Sequence, residues 1–362
     1  MMLLYEISKY VLNIRKASCT AYIRLTECIR TGYQMAVSIY DSRDDDSAAH
    51  IHTICGFIFF RYVITDVNNT PLFDAHTGCC LSALHCEYAG YLDLSNEVGA
   101  ISVKGLTPKG RHGNPGTRIA ETPSGVLNCI GLENPGAEHF VREILPELKK
   151  YDVPLLANMS AGTIDEFAWM AETLSVDGIA GLEVNVSCPN VECEGMAFGV
   201  DPKVVESVTK AVRKVTDKPV IVKLSPNVTD IVEIAKAVEA GGGNGVSLIN
   251  TLLGMAIDIH RRKPVLGNTY GGLSGPAVKP VALRMVHQVY KEVTIPIIGL
   301  GGIMTGTDAI EFMMAGAQAV QVGTATMVDP TAISRIAREM SEYVEQYNLN
   351  SITDIVGAVH QV

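Results

Sequence analysis

The stretch "IIGLGGI", residues 297–303, decides the fold, because an apolar run of strand length ends there in a Gly-rich turn. A second stretch, "VQVGTA" at 320–325, repeats this order further along the chain. Glycines at the start of a helix expose backbone amides, which bind a phosphate without any net positive charge. Each motif alone is equally compatible with a simple tight turn. Two motifs on consecutive strands favour a phosphate site, as in the loops after strands seven and eight of an α/β barrel.

The rest of the chain from about residue 70 alternates short apolar runs with amphipathic segments, which is typical of βα units around a parallel sheet. Eight apolar runs are present, at 71–76, 99–104, 154–159, 181–186, 219–224, 245–250, 296–300 and 319–323. Helix candidates with apolar residues at three-and-four spacing lie at 201–215, 230–242, 277–293 and 306–317. We therefore predict a closed (β/α)8 TIM barrel over residues 66–362.

Composition restricts the class of protein. The chain has 362 residues, of which 47% are hydrophobic and 19% charged, and its formal net charge is −10. A negative net charge argues against general binding of nucleic acid or an anionic membrane. The apolar run at 54–60 stops at Arg61 and is too short to span a bilayer. Nine scattered cysteines favour a reducing cytoplasm over a disulfide framework.

Residues 1–65 follow a different pattern, with an acidic cluster, "DSRDDDS", at 41–47 and no sustained hydrophobic period. Three explanations remain open: a small appended element, a disordered extension, or a misassigned start of the gene. The last two are favoured. We therefore predict an irregular N-terminal extension before the barrel.

Polar side chains end several of the predicted strands, where the chemistry of a barrel enzyme is located. They are Lys104, Asn158, Asn185, Lys223 and Asn250. A buried Lys223 would be costly unless it met an electron-rich partner, such as a reduced flavin ring. The alternative for Lys223 and for Lys104 is an amine that extends to solvent at the barrel mouth.

Asparagines also occur in the loop 128–136 and after the fourth predicted strand. An asparagine presents a donor and an acceptor side by side, which matches the amide edges of a pyrimidine ring. Singly, each is more often a residue that caps a loop. Together, Asn128, Asn185, Asn190 and Asn250, with Thr251, would form a polar cage for such a ring.

Cys188 lies in "LEVNVSCPN" (182–190), between Ser187 and Pro189, directly after a predicted strand. A lone cysteine is more often a small buried hydrophobe than a catalyst. Its position in a restricted loop among carboxamides favours a general base, because a thiol with a pKa of about 8.5 can accept a proton from a weakly acidic carbon. Cys129 and Cys193 lack this setting and are interpreted as packing thiols.

Residues 70–360 resemble the class 1 dihydroorotate dehydrogenases, flavin-dependent (β/α)8 enzymes of pyrimidine synthesis. The motifs that carry the resemblance are "GNPGTRIAETPSGVLNCIGLENPG", "NVSCPNVECEGMAFG", "VKLSPNVTDI", "INTLLGM", "GGLSGPAVKP", "IPIIGLGGI" and "VQVGTA". The variants "IGLENPG" and "EGMAFG" are most similar to the NAD-linked type B branch. One departure is "AHTGCCLSALHCEY" (75–88), where Thr77 and Gly78 match the flavin-contacting first turn only loosely.

The resemblance implies FMN as cofactor and implies a role for individual residues. Cys188 would remove a proton from C5 of dihydroorotate while a hydride leaves C6. The substrate would be held by Lys104, Asn128, Gly131, Leu132, Asn185, Asn190, Asn250 and Thr251. FMN would be held by Thr77, Gly78, Lys104, Asn158, Asn185, Lys223, Ile249, Ser274, Gly275, Gly301, Gly302, Gly323 and Thr324.

The resemblance also implies a partner. In the type B branch, a homodimeric catalytic core binds a separate subunit that carries FAD and a [2Fe-2S] cluster and passes electrons to NAD, giving a heterotetramer. Two alternatives remain open: another FMN barrel that acts on pyrimidines, including the type that modifies uridine in transfer RNA, and an inactive barrel that serves as a structural or interaction subunit. The first would need a basic surface, which this acidic chain does not indicate.

Overall fold

The computed structural model describes residues 22–23, 39–40, 87–186 and 198–360. The chain divides into two units, Met1–Ile58 and Phe59–Val362. In the first unit, the described residues form two short strands, β1 (Tyr22–Ile23) and β2 (Ile39–Tyr40), which pair antiparallel. The predicted extension over residues 1–65 therefore lies almost entirely outside the described residues and stays a prediction.

The second unit is built on a parallel sheet of seven described strands. In chain order they are β3 (Ile101–Ser102), β6 (Leu155–Met159), β7 (Gly181–Asn185), β8 (Val220–Lys223), β9 (Gly245–Leu248), β14 (Ile297–Leu300) and β15 (Ala319–Gln321). Each strand pairs in parallel with the next in this order. They correspond to seven of the eight predicted runs, and the remaining run at 71–76 lies outside the described residues. The sheet is the wall of a (β/α)8 barrel.

Helices connect these strands and cover the outside of the sheet. They are α1 (Ala137–His139), continued by a π-helical turn (Phe140–Ile144) into α2 (Leu145–Leu148), then α3 (Ile164–Leu174), α4 (Pro202–Arg213), α5 (Ile231–Ala240), α6 (Lys279–Tyr290), α7 (Gly306–Met314), α8 (Ala325–Val328) and α9 (Ala332–Gln346). Short 3-10 turns lie at Glu87–Gly90, Pro276–Val278, Ile352–Ile355 and Ala358–His360. The four predicted helices correspond to α4, α5, α6 and α7. None of the helices in the described residues is long and apolar enough to cross a membrane.

Helix α4 shows how the sequence determines these elements. The Asp201 side chain caps its N-terminus by accepting from the Lys203 amide at 2.9 Å, and Pro202 occupies the first turn. Lys210 and Arg213 lie in the last turn, where positive charge is favourable. The apolar stripe of this helix is fully buried against the sheet, so the amphipathic pattern fixes which face points inward.

A second, antiparallel sheet is separate from the parallel sheet of the barrel wall. Its strand order is β10 (Leu252–Met255), β13 (Tyr270–Ser274), β5 (Gly125–Asn128) and β4 (Ile119–Thr122). The segment between β10 and β13 contains two further short strands, β11 (Ile257–Asp258) and β12 (Lys263–Pro264), which pair antiparallel with each other. The glycine-rich segment Tyr270–Ser274 is strand β13 of this sheet, and Pro276 begins the 3-10 turn that leads into α6.

Candidate active site

A cavity at the carboxyl ends of the barrel strands brings together ten of the predicted site residues. They are Lys223, Ile249, Asn250, Thr251, Ser274, Gly275, Gly301, Gly302, Gly323 and Thr324, with Leu273, Val278 and Leu300 as further lining residues. The space between these residues is about 420 Å³ when the open solvent at its mouth is included.

Glycines form one wall of this cavity because a side chain would not fit there. Gly301 and Gly302 follow β14 with φ of 122° and 82°, in a region that L-residues rarely adopt. A Cβ on Gly302 would lie 2.8 Å from the Gly275 carbonyl oxygen and 2.8 Å from the Lys279 Cβ. The turn therefore keeps its backbone close to the start of α6. We call Gly275, Gly301, Gly302, Gly323 and Thr324 the phosphate cradle.

Two hydroxyl groups complete the phosphate cradle. The Thr324 hydroxyl donates to the Ser274 hydroxyl at 2.9 Å, and the Ser274 hydroxyl lies 3.4 Å from the Val126 carbonyl oxygen. Both side chains are buried. Glycine turns and hydroxyl donors, with no arginine among the described lining residues, suit a phosphate group held mainly by backbone amides. The phosphate tail of FMN fits this set of donors.

The carboxamides form a second, adjoining group. Asn250 follows β9 and donates through its Nδ2 to the Asn185 Oδ1 at 3.3 Å, while its Oδ1 accepts from the Thr251 amide at 2.7 Å. Asn227, which the sequence did not single out, also forms hydrogen bonds with this turn. Its Nδ2 donates to the Thr251 carbonyl at 3.1 Å and its Oδ1 accepts from the Leu253 amide at 2.9 Å. Within the cage, the Asn250 carboxamide is thus oriented by Asn185 and by the Thr251 amide.

The predicted substrate residues of the loop after β5 do not line the described part of the cavity. Asn128 is the last residue of β5 rather than a loop residue, and its Nδ2 donates to the Gly272 carbonyl at 3.3 Å. Gly131 and Leu132 have φ of 79° and 53°, so the turn presents its backbone in the left-handed region. Lys104 lies two residues after the end of β3 and is partly exposed.

Asn134 holds that loop in place. Its Oδ1 accepts from the amides of Thr107 and Gly136, and its Nδ2 donates to the Leu132 carbonyl at 2.6 Å. This buried side chain satisfies backbone groups on both sides of the turn. Its role is structural, consistent with the capping alternative considered for single asparagines.

Lys223 and Asn158 meet at a carboxylate that sequence reasoning missed, Glu183. The Asn158 Nδ2 donates to Glu183 Oε2 at 2.6 Å, and the Lys223 Nζ lies 3.7 Å from the same oxygen. Burial opposes ionisation of Glu183, but the Lys223 ammonium and the donors from its neighbours together hold its pKa below the usual range. An acidic residue inside the apolar run at 181–186 was the available signal for this group.

Four predicted site residues lie outside the described part of the chain. They are Thr77, Gly78, Cys188 and Asn190. Their assigned roles in flavin binding, proton removal and substrate binding stay predictions. The described strand β7 ends at Asn185, and Cys188 and Asn190 follow it in the sequence.

Fold and site together define a class of protein: a (β/α)8 barrel with a glycine turn after each of its last two strands and two buried hydroxyls, beside a polar, carboxamide-lined pocket. The family model for dihydroorotate dehydrogenase matches residues 70–344. A dihydroorotate dehydrogenase B (NAD(+)) catalytic subunit from Desulforamulus reducens is 58% identical over 275 residues, covering 76% of this chain and 90% of the relative. Proteins of the same name from Geobacter sp. strain M21 and Alkaliphilus metalliredigens are 54% and 52% identical, each over 75% of this chain and 90% of the relative.

These similarities extend over most of both chains. The chain belongs to the dihydroorotate dehydrogenase family.

Proposed function

We propose that this chain is the catalytic subunit of an NAD-linked, FMN-dependent dihydroorotate dehydrogenase, which oxidises dihydroorotate to orotate in pyrimidine (UMP) biosynthesis. The observation that carries the proposal is the cavity, because it gathers ten residues that the sequence assigns to FMN and pyrimidine binding. The relatives named above are catalytic subunits of the type B enzyme.

In this proposal, different residues of the chain bind FMN, bind the pyrimidine and accept the proton. The phosphate cradle would hold the FMN tail, and Lys223, which lines the same cavity, would contact the flavin ring. Asn185, Asn250 and Thr251 orient the pyrimidine, together with Asn128 and Asn190. When bound, FMN supplies a ring that accepts the hydride from C6 of dihydroorotate. Cys188 accepts the proton from C5, so that both hydrogens leave and the ring double bond forms.

The role of Cys188 can be tested by single-turnover reduction of the bound FMN with dihydroorotate. Cys188→Ala should slow this reduction by on the order of a hundredfold or more while FMN stays bound, since a general base typically contributes that much. Cys188→Ser should keep a trace of activity that needs higher pH, because a hydroxyl is a much weaker acid than a thiol. The matched control is Cys129→Ala, which removes a fully buried thiol that packs beside Leu127 and Leu266.

Unchanged rates in the Cys188→Ala variant, with slow rates in the Cys129→Ala control, would place the base elsewhere. Unchanged rates in both would show that neither thiol takes part. If the purified wild-type chain held no FMN, the inactive-barrel alternative would replace the proposal.

We also propose that NAD is reached through a partner subunit that carries FAD and a [2Fe-2S] cluster, in a heterotetramer around a homodimeric core. The sequence has one flavin-phosphate site, no GxGxxG run after a strand and no iron–sulfur cysteine spacing. We expect the chain alone to reduce its FMN with dihydroorotate but to reduce NAD poorly. Rapid NAD reduction by the isolated chain would contradict this assignment. A cytoplasmic location is part of the same proposal and is supported by the scattered cysteines.

An exposed apolar surface supports the homodimeric core. Five large apolar side chains on and near β10, β11 and β13 are exposed: Leu253, Met255, Ile257, Ile259 and Tyr270. Met255 pairs with Tyr270 across β10 and β13. Clustered exposed apolar side chains often mark protein interfaces. Ile257→Asp should therefore shift the sedimenting species toward a monomer, whereas Val328→Asp, at an exposed apolar residue on α8, should not. A dimer that survives Ile257→Asp would remove this support.

A further inference from the structure

A single carboxylate inside the barrel contacts side chains from five other strands. Glu183 Oε1 accepts from the Ser247 hydroxyl at 2.8 Å and from Gln321 Nε2 at 3.2 Å. Glu183 Oε2 accepts from Asn158 Nδ2 and from the Ser102 hydroxyl, at 2.6 and 3.0 Å, and faces Lys223. Both carboxylate oxygens are thus fixed, so the group cannot rotate without breaking several hydrogen bonds.

This polar group replaces an apolar layer of the barrel interior. One layer below it is formed by Ala100, Leu156, Ile221, Ile298 and Ala319. Residues two positions apart on a strand share a face, so Ser102, Asn158, Lys223 and Gln321 form the layer above. The interior of such barrels is usually filled by bulky apolar side chains. A charged layer at this depth is costly and therefore indicates a use at the adjoining mouth.

The charges of this layer are confined to two residues. The seven described barrel strands contain two ionisable side chains, Glu183 and Lys223, and both are essentially fully buried. Strands β7 and β9 flank β8. Strand β7 contributes the Glu183 carboxylate, and β9 contributes the Ser247 hydroxyl, which does not titrate. Burial alone would favour the neutral form of each partner, and their mutual attraction opposes this.

Two other lysines, Lys279 and Lys104, follow barrel elements near the mouth. Lys279, behind the Gly302 turn, pairs with Asp308 at 2.6 Å and with Glu311 at 2.9 Å. Lys104 follows β3 and is partly exposed, and Cys188 lies outside the described residues. Within the described strands, Glu183 is therefore the anion that faces Lys223.

We propose that Glu183 is a positioning residue: its carboxylate keeps the Lys223 ammonium protonated and directed at the cofactor end of the cavity. Lys223 is the last residue of β8 and lines the cavity, whereas Glu183 does not line it. Glu183 therefore acts on the cavity through the residues that it contacts, and Lys223 is the charged one among them. The consequence is a fixed positive charge beside the ring of FMN, where negative charge develops when the ring is reduced. This inference rests on the proposed function, because it assumes that FMN occupies the cavity.

The test compares charge-removing and charge-keeping variants of the full chain with FMN bound. Glu183→Gln removes the anion at nearly constant size, and Glu183→Asp keeps it while shortening the side chain. Bound FMN is equilibrated anaerobically with a redox dye between about pH 6 and 10, the range into which burial moves an unpaired lysine. The readout is the ratio of reduced to oxidised FMN, together with the FMN dissociation constant.

In Glu183→Gln we expect one ionisation that the wild type lacks. Above the pH of this ionisation the Lys223 amine is neutral. The ratio of reduced to oxidised FMN at a given dye potential should then fall by roughly tenfold, because a nearby positive charge is lost. Glu183→Asp and wild type should lack this ionisation, although Glu183→Asp perturbs packing at least as much. Bound FMN without the additional ionisation in Glu183→Gln would overturn the proposal.

A second variant covers the case in which Glu183→Gln does not fold or retain FMN. The double variant Glu183→Gln with Lys223→Met has no buried charge and should recover the folded barrel if the carboxylate exists to pair Lys223. Loss of folding in the double variant as well would show that Glu183 only supports packing, and would overturn the proposal. A wild-type chain that fails to bind FMN would instead refute the proposed function, so the two failures are distinguishable.

Discussion

The phosphate cradle and the Glu183 layer lie at the same end of the barrel, but they stabilise charge in opposite ways. The Glu183 layer consists of Glu183 and the side chains that contact it, Ser102, Asn158, Lys223, Ser247 and Gln321. The cradle offers an anion backbone amides, glycine turns and two hydroxyls, without a cation among its own residues. The Glu183 layer places a buried ion pair among side-chain donors from neighbouring strands. The cradle therefore depends on the absence of side chains, and the layer depends on the identity of each side chain. Substitutions should affect the two regions by different mechanisms, and the predictions below separate them.

The largest effect is expected for Lys223→Met, which leaves Glu183 buried without its cation. Breaking a buried ion pair typically lowers the free energy of unfolding by about 3–5 kcal/mol. Urea unfolding at neutral pH would measure the loss. The matched control is Lys236→Met, which removes an exposed partner of Glu292 and should change stability little.

The same variant should change the pH dependence of stability. In the wild type the folded pKa of Glu183 is below its unfolded value of about 4.5, so this group stabilises the fold above that pH and the contribution is lost as pH falls through the folded value. In Lys223→Met, burial dominates and the folded pKa rises above the unfolded one. The deficit relative to wild type should then grow as pH rises above about 4.5 and shrink in acid. A deficit that does not depend on pH would contradict the ion-pair explanation.

The next effect is expected for Gly302→Ala in the cradle. The new Cβ would lie 2.8 Å from a backbone oxygen, so the turn must shift, and we expect FMN to bind roughly a hundredfold more weakly. Gly242→Ala is the control, because Gly242 also has a positive φ, of 80°, but the nearest atom to its new Cβ would be the Arg213 Cγ at 3.9 Å. Both variants share the backbone cost of about 1 kcal/mol, and only the first should lose FMN affinity. Equal FMN affinity in the two variants would show that the close approach at Gly302 is unimportant.

A smaller effect is expected for Ser247→Ala in the Glu183 layer. It removes one hydrogen bond to Glu183 Oε1 and leaves both charges, so the loss should be about 1.5–3 kcal/mol, less than for Lys223→Met. Thermal or urea unfolding would measure it. Ser341→Ala, whose hydroxyl donates to the Ala337 carbonyl on an exposed helix face, should remain within about 0.5 kcal/mol of wild type. A loss as large as that of Lys223→Met would mean that the charges themselves contribute little.

The smallest effect is expected for deletion of residues 1–58. The family match begins at residue 70, and the cradle and the Glu183 layer are formed by residues after 100. Melting temperature and FMN content should stay nearly unchanged. Insoluble protein after deletion would show that the N-terminal segment contributes to folding of the barrel.

The sequence predicted the barrel wall well and the antiparallel sheet poorly, for a physical reason. Each described parallel strand is recorded locally as an apolar run, and several of these runs carry a polar residue near their end, as 219–224 does with Lys223. The antiparallel sheet pairs β5 with β13, which are far apart in sequence, and β13 contains glycines that a local pattern assigns to a loop. Pairing between distant segments leaves no periodic signal in either one.

The candidate site shows the same limit. Residue types at strand ends predicted the glycines and carboxamides that the structure brings together, because the chemistry of a barrel is confined to that end. The Glu183 partners could not be predicted, since they depend on which strands face one another across the interior. Asn227 was missed because its contacts to the Thr251 turn are with backbone groups, which have no residue-specific signal.

The hydrogen bond from Ser274 to the Val126 carbonyl joins positions 148 residues apart. Closing so long a segment costs chain entropy before any contact compensates for it, and pairing of distant strands is the slow part of folding in proteins of this kind. The cradle therefore cannot be completed from a local fragment, and a nascent chain that has not yet made residue 274 has no complete anion site. We expect a refolding chain to acquire FMN affinity only in its slowest phase.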